Sequence, residues 1–124
     1  MPSQNNSGRQ FDKQHSVTIV ATAALAACRF AAYDGGYPTA AGGAKDVQGV
    51  TENAVEAGEA VSLTTGYSAL VEAGEAIAFG VLVKPDATGR AVAGTAADHC
   101  GRSLGTPGAA GQLVEVELYK HVHA

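Results

Sequence analysis

The sequence predicts an all-β protein: one β-sandwich domain of jelly-roll-like type, with an extended N-terminal arm. Three observations predict it. Glycine breaks recur from Gly35 to Gly111 at spacings that suit strands and turns rather than helices. Apolar and polar residues alternate with period two in Val17–Val20 and again in Leu113–Tyr119. In the second run Val114, Val116 and Leu118 would face one way, and Glu115 and Glu117 the other. Finally, Asp86-Ala87-Thr88-Gly89 lies between Val81-Leu82-Val83-Lys84 and Arg90-Ala91-Val92 and reads as a hairpin turn. Pro85 and Asp86 open that turn, and Gly89 takes a positive φ.

Taken in order, residues 1–15 form a polar segment with Pro, Gly, Ser and Asn. Such a composition cannot bury enough apolar surface to order itself. It reads as an arm held by a neighbour, with Phe11 as its anchor, and the domain proper then runs over residues 16–124. Val17–Cys28 is an apolar run preceded by Arg9 and Lys13, and its end, Leu25-Ala26-Ala27-Cys28, resembles a bacterial lipobox. The run is too short to span a bilayer as a helix. A long polar leader carrying Asp12, and Arg29 directly after the cysteine, argue against export. The segment is expected as a core strand or a short helix, and 21–28 is the one stretch whose alanine content suits a helix. Farther on, Val55-Glu56-Ala57-Gly58-Glu59-Ala60-Val61 returns as Val71-Glu72-Ala73-Gly74-Glu75-Ala76-Ile77, with an echo at Ala110–Val114. Two clear copies are too few for a solenoid, and they are expected to mark equivalent corners of a sandwich.

Composition narrows the function classes. The chain has 124 residues, no Trp, three Phe, four Tyr and 16 Gly, so any core is built from small side chains. Modest burial per residue makes oligomerisation or docking a natural supplement. The formal net charge is −4. Six of the acids (Asp46, Glu52, Glu56, Glu59, Glu72, Glu75) fall in a stretch with no Lys or Arg. No basic cluster marks a nucleic-acid footprint. The acidic block is a solvated face, or a surface complementary to a basic partner. Cys28 and Cys100 have no CxxC context and are expected as reduced thiols, although spacing alone leaves a disulfide open.

Catalytic chemistry is thinly supplied. There is no G-x-S-x-G elbow and no phosphate-cradling loop. On a strand, Asp98 and Cys100 would share a face while His99 pointed away. His121 and His123 would share a strand face and could chelate a metal, but near the chain end they read better as a docking contact. No catalytic residue, cofactor or metal is assigned.

The running order from Lys45 to Leu118 resembles the tailed-phage head decoration, or capsid cement, proteins. Asp46-Val47-Gln48-Gly49-Val50-Thr51-Glu52-Asn53 is similar to that family's Gly-Val strand. Ala57–Val61, a strand through Tyr67 and Leu70, Val71–Ile77 and Leu82–Val92 follow in the family's order. Gly101-Arg102-Ser103-Leu104 and Ala110–Leu118 close it. Residues 1–44 depart from the family's short, Gly-rich opening. The resemblance implies a non-enzymatic β-sandwich or jelly roll that sits in many copies on the capsid exterior. It would be made in the host cytoplasm, bind the major capsid protein and associate as a dimer or trimer, with no nucleic-acid or membrane partner. The residues assigned to the capsid or subunit interface are Arg9, Phe11, Lys13, His15, Glu52, Glu56, Glu59, His121 and His123. Two other readings are an exported lipoprotein with a small β domain, and a small-ligand or sugar-binding jelly roll. The latter requires His99, His121 and His123 to converge.

Overall fold

The computed structural model describes residues 15–39 and 42–123. Arg9, Phe11 and Lys13 lie outside the described residues. The strands are β1 (Ser16–Val20), β2 (Phe30–Ala32), β3 (Val47–Thr51), β4 (Ala60–Thr64), β5 (Ser68–Glu72), β6 (Leu82–Pro85), β7 (Ala91–Ala93), β8 (Asp98–Ser103) and β9 (Leu113–His123). A 3-10 turn, Gly43–Lys45, precedes β3. The strands form a four-stranded sheet of order β1-β4-β3-β2 and a five-stranded sheet of order β5-β9-β8-β6-β7. All ladders within the sheets are antiparallel. The expected all-β sandwich is therefore what forms. The order β1-β4-β3-β2 is that of a Greek key; β1 to β4 build this sheet and β5 to β9 the other.

The core between the sheets joins Phe30, Val47 and Val50 of the first to Val71, Val83, Cys100, Val114 and Val116 of the second. Val114 and Val116 turn inward as their alternation predicts, and Leu118 packs on the same core. A second core covers the opposite face of the four-stranded sheet, where Ala31, Val61 and Leu63 meet Ala21 and Leu25.

That second core corrects the reading of residues 21–28, which form neither helix nor regular strand. The Ala21 N–H donates to Glu59 C=O (2.9 Å) and the Gly58 N–H to Ala21 C=O (2.8 Å). Leu25 and Val55 exchange two main-chain bonds of 2.9 Å each in an isolated bridge. Cys28 takes φ 59. Alanine's helix propensity is a few tenths of a kcal/mol per residue, roughly, and so short a helix nucleates poorly. Bonds to the loop at 51–59 satisfy the same amides and bury Ala21 and Leu25 as well. A chain cut before Cys28 would lose β1 and both of those core residues, so the packing speaks against the lipoprotein reading. Neither cysteine is in a disulfide.

The two long repeats do not mark equivalent corners. At Gly58 (φ 88) and Gly111 (φ 93) the chain turns into β4 and β9. In the middle copy Val71 and Glu72 end a strand, and Ala73 forms a parallel bridge to Ala91. Gly74 has no positive φ there, and no strand begins until Leu82. Identical phrases diverge because each main chain is bonded to a different neighbour.

The predicted hairpin forms: β6 pairs with β7 and Gly89 has φ 77. Its turn presses on β2, where the Phe30 N–H donates to Gly89 C=O at 2.7 Å. A Cβ at Gly89 would lie 2.5 Å from the Phe30 carbonyl oxygen, whereas one at Gly58 would meet open space. Gly58→Ala should therefore cost only left-handed strain, about 1 kcal/mol. Gly89→Ala should cost about 2 kcal/mol or more. Urea unfolding midpoints at unchanged slope would check the difference.

Candidate functional site

The loop 52–59 and the segment 21–28 meet at one end of the four-stranded sheet. Between them is a cleft of about 450 Å³ lined by Ala24, Leu25, Ala26, Tyr37, Ala54 and Val55, with Glu56 and Glu59 completing the wall. The Tyr37 hydroxyl accepts the Ala26 N–H at 2.8 Å, which fixes the ring. The turn at Gly58 places the glutamates: Glu59 N–H donates to Glu56 C=O (3.1 Å), and Glu56 N–H to Glu59 Oε1 (2.7 Å). Glu52 Oε2 accepts from the Ser62 hydroxyl at 2.7 Å. Among the described residues no cation is ion-paired with Glu56 or Glu59.

The acidic block is continuous in sequence but divided in space. Glu72 lies away from this corner, between Arg29 (3.0 Å) and Arg90 (3.7 Å). Arg90 also pairs with Asp86 (3.2 Å), and Arg29 donates to Thr88 C=O (2.9 Å). This cluster ties the hairpin turn to the residue just before β2. Burial works to raise the pKa of the Asp86 carboxyl. The N–H groups of Arg90 and Thr88, the Thr88 hydroxyl and the Arg90 guanidinium outweigh it and hold the pKa below its ordinary value. Nothing local in the sequence flags Arg29 as a partner of Glu72, 43 residues away.

The histidines part company. His121 is buried, and its Nδ1 accepts the Val47 N–H at 2.9 Å, while Nε2 lies 3.4 Å from Asp98 Oδ1. It ties β9 to β3 across the sandwich, so its expected place in a surface contact is corrected. The cause is an irregularity in the β8–β9 ladder between His99 and Gly101, which re-aims the last residues of β9. His99 instead stacks edge-on against Tyr119 and its Nδ1 meets Thr95 C=O at 2.9 Å. His123 pairs with Asp98 through its main chain. The convergence that a ligand-binding jelly roll requires does not occur for His99 and His121. Burial pushes the Cys100 thiol far above its ordinary range. Among the described residues no group of three or more His, Cys, Asp and Glu is placed to hold a metal ion. His15 is exposed, and its carbonyl accepts from Thr65 N–H (3.0 Å).

A family model for phage cement proteins matches residues 10–118. The chain belongs to the phage cement protein family. It is a structural protein associated with a phage capsid. Among solved structures it is similar to the N base of the head fiber protein gp8.5 of bacteriophage phi29. The identity is 21% and the TM-score 0.66, covering 89% of this chain and 98% of that one. At that identity the likeness establishes the fold. No curated protein matches. Among the described residues of this cement protein no helix is long and apolar enough to cross a membrane. The family match begins at residue 10, inside the segment that composition marks as an arm.

The Asp86 cluster gives a signed pH prediction. A carboxyl whose folded pKa is lowered contributes stability above its unfolded value, near 3.8, and loses it as pH falls through the folded value. Acid unfolding of the wild type should therefore steepen below that point. Asp86→Asn should lower stability at neutral pH and flatten this part of the curve, as read by thermal melts from pH 7 downward.

Proposed function

We propose that this cement protein binds the outer surface of the phage capsid against the major capsid protein, as a dimer or trimer, and stabilises the shell without catalysing a reaction. The observation that carries the reading is the family match over residues 10–118. Binding to the assembled shell and not to its dissociated subunits stabilises the shell by linkage. Contacts made by several copies raise the effective concentration of each further contact, so a single contact can be weak.

The acidic corner supplies a contact of definite chemistry. A shell Lys or Arg could lay its aliphatic stem on Ala24, Ala26 and Ala54 and bring its charged head to Glu56 and Glu59. Apolar walls and two carboxylates suit such a side chain better than they suit an anion or a sugar. Glu52, beside them on the same loop, extends the negative field.

Cosedimentation with purified empty capsids, and the temperature at which decorated capsids break up, test this reading. Wild-type protein should bind and raise that temperature. Glu56→Lys should weaken binding about tenfold at low salt and leave the unfolding midpoint of the free protein unchanged. Undiminished binding would remove the acidic corner from the interface, and failure of the wild type to bind capsids would overturn the cement reading itself.

A further inference from the structure

We propose that the outer face of the second sheet carries a further docking surface, centred on Arg102 and Tyr119, which takes the carboxylate of an Asp or Glu side chain on the capsid shell. This surface is separate from the acidic corner and opposite to it in charge. It rests on the capsid-binding reading of the protein.

The chain leaves the charge of Arg102 without a counter-ion. Among the described residues Arg29, Lys45, Lys84 and Arg90 are ion-paired, whereas Arg102 and Lys120 are not. Lys120 is exposed and lines a groove with Val17, Gln48 and Thr65. Arg102 is exposed too, but its guanidinium is fixed.

Strand alternation places it. Ser103 and its ladder partner Val116 are buried, so Arg102 and its partner Glu117 face outward. The strands β8 and β9 lie inside their sheet, which keeps Arg102 away from the sheet's edges. Its Nε–H donates to the Tyr119 hydroxyl at 3.1 Å, and Nη1–H to Gly80 C=O at 2.7 Å. The guanidinium carbon lies 6.0 Å from the centroid of the Tyr119 ring.

Both anchors are held in turn. The Tyr119 hydroxyl donates to Glu117 Oε1 at 3.2 Å, and His99 meets the ring edge-on at 6.2 Å. The Gly80 N–H donates to Ser103 C=O at 2.8 Å, which ties the 78–81 turn to β8. Among the described residues Nη2 has no partner.

An arginine fixed in this way has already given up much of its side-chain freedom, so binding costs little further ordering. The end of its planar fork matches the two oxygens of a carboxylate. Phe79, beside Gly80, is 43% exposed. Arginine next to exposed aromatic rings is the composition of an interface hot spot. Glu117 sets one negative charge close by and so disfavours a doubly charged phosphate. One fixed arginine on a chain of net charge −4 is no footprint for a nucleic acid. A single carboxylate on a protein surface fits the site.

Cosedimentation of the full chain with purified empty capsids tests the proposal. Arg102→Ala should weaken binding about tenfold at low salt, with the unfolding midpoint of the free protein unchanged. Arg102→Lys should restore little, because an ammonium lacks the fork. Tyr119→Phe keeps the charge and the ring but frees Nε, and should give a smaller loss. Arg102→Ala combined with Glu56→Lys should lose the product of the two single effects, because the surfaces are distinct. Wild-type binding that Arg102→Ala leaves undiminished would overturn this surface alone, while failure of the wild type to bind would overturn the capsid reading with it. Full rescue by Arg102→Lys would overturn recognition by the fork. Sedimentation of the protein without capsids checks the partner: an oligomer that Arg102→Ala dissociates would assign the surface to a second copy and overturn shell docking.

Discussion

Phe30, Ala31 and Ala32 are fully buried, and this three-residue strand is the piece on which both cores bear. Phe30 fills the space between the sheets, and Ala31 closes the second core under the 21–28 segment. One edge is laddered to β3, and at Phe30 the main chain also bonds to Gly89 of the hairpin turn. A strand enclosed on every side leaves no room for bulk nearby. A Cβ at Gly49, the ladder partner of Ala31, would lie 2.7 Å from the Thr64 carbonyl oxygen, and in the second sheet one at Gly101 would lie 2.4 Å from that of Glu117. A chain without Trp reaches interior density by bringing backbones close together, and dispersion contacts then offset the small area of each side chain.

The same constraint organises the charges. Arg29 immediately precedes β2, so the arginine pair, Glu72 and Asp86 gather where the hairpin turn meets that strand. Half-buried and sharing partners, they form a network whose members support one another more than an isolated surface pair would. Lys45 and Lys84 are likewise engaged, with Asp34 and Asp98. Glu56 and Glu59 of the 52–59 loop stand on a separate corner, next to the apolar walls of the cleft.

The two sheets of this cement protein are tied together at several points. Val47 N–H meets His121 across 74 residues, Phe30 meets Gly89, and β9 spans 11 residues beneath the first sheet. The shared fold of the head fiber base shows that one sandwich frame accommodates sequences only 21% identical.

Several features were legible in the sequence because they depend on a residue and its near neighbours. The β6–β7 hairpin follows from Pro85, Asp86 and Gly89, the inward face of β9 from period two, and the family from the order of short phrases between Lys45 and Leu118. Other features depend on groups distant along the chain. The alanine run gave up its helix because loop 51–59 supplied its hydrogen bonds. The middle Ala-Gly phrase ended a strand because Ala91 lay beside it, His121 turned inward because the β8–β9 ladder shifts there, and Arg29 acquired Glu72. Sequence by itself determined the strands, their turns and the family, since backbone conformation and side-chain alternation are local. Tertiary structure alone decided which polar groups are buried, paired or presented, because a hydrogen bond or an ion pair needs its partner brought through space.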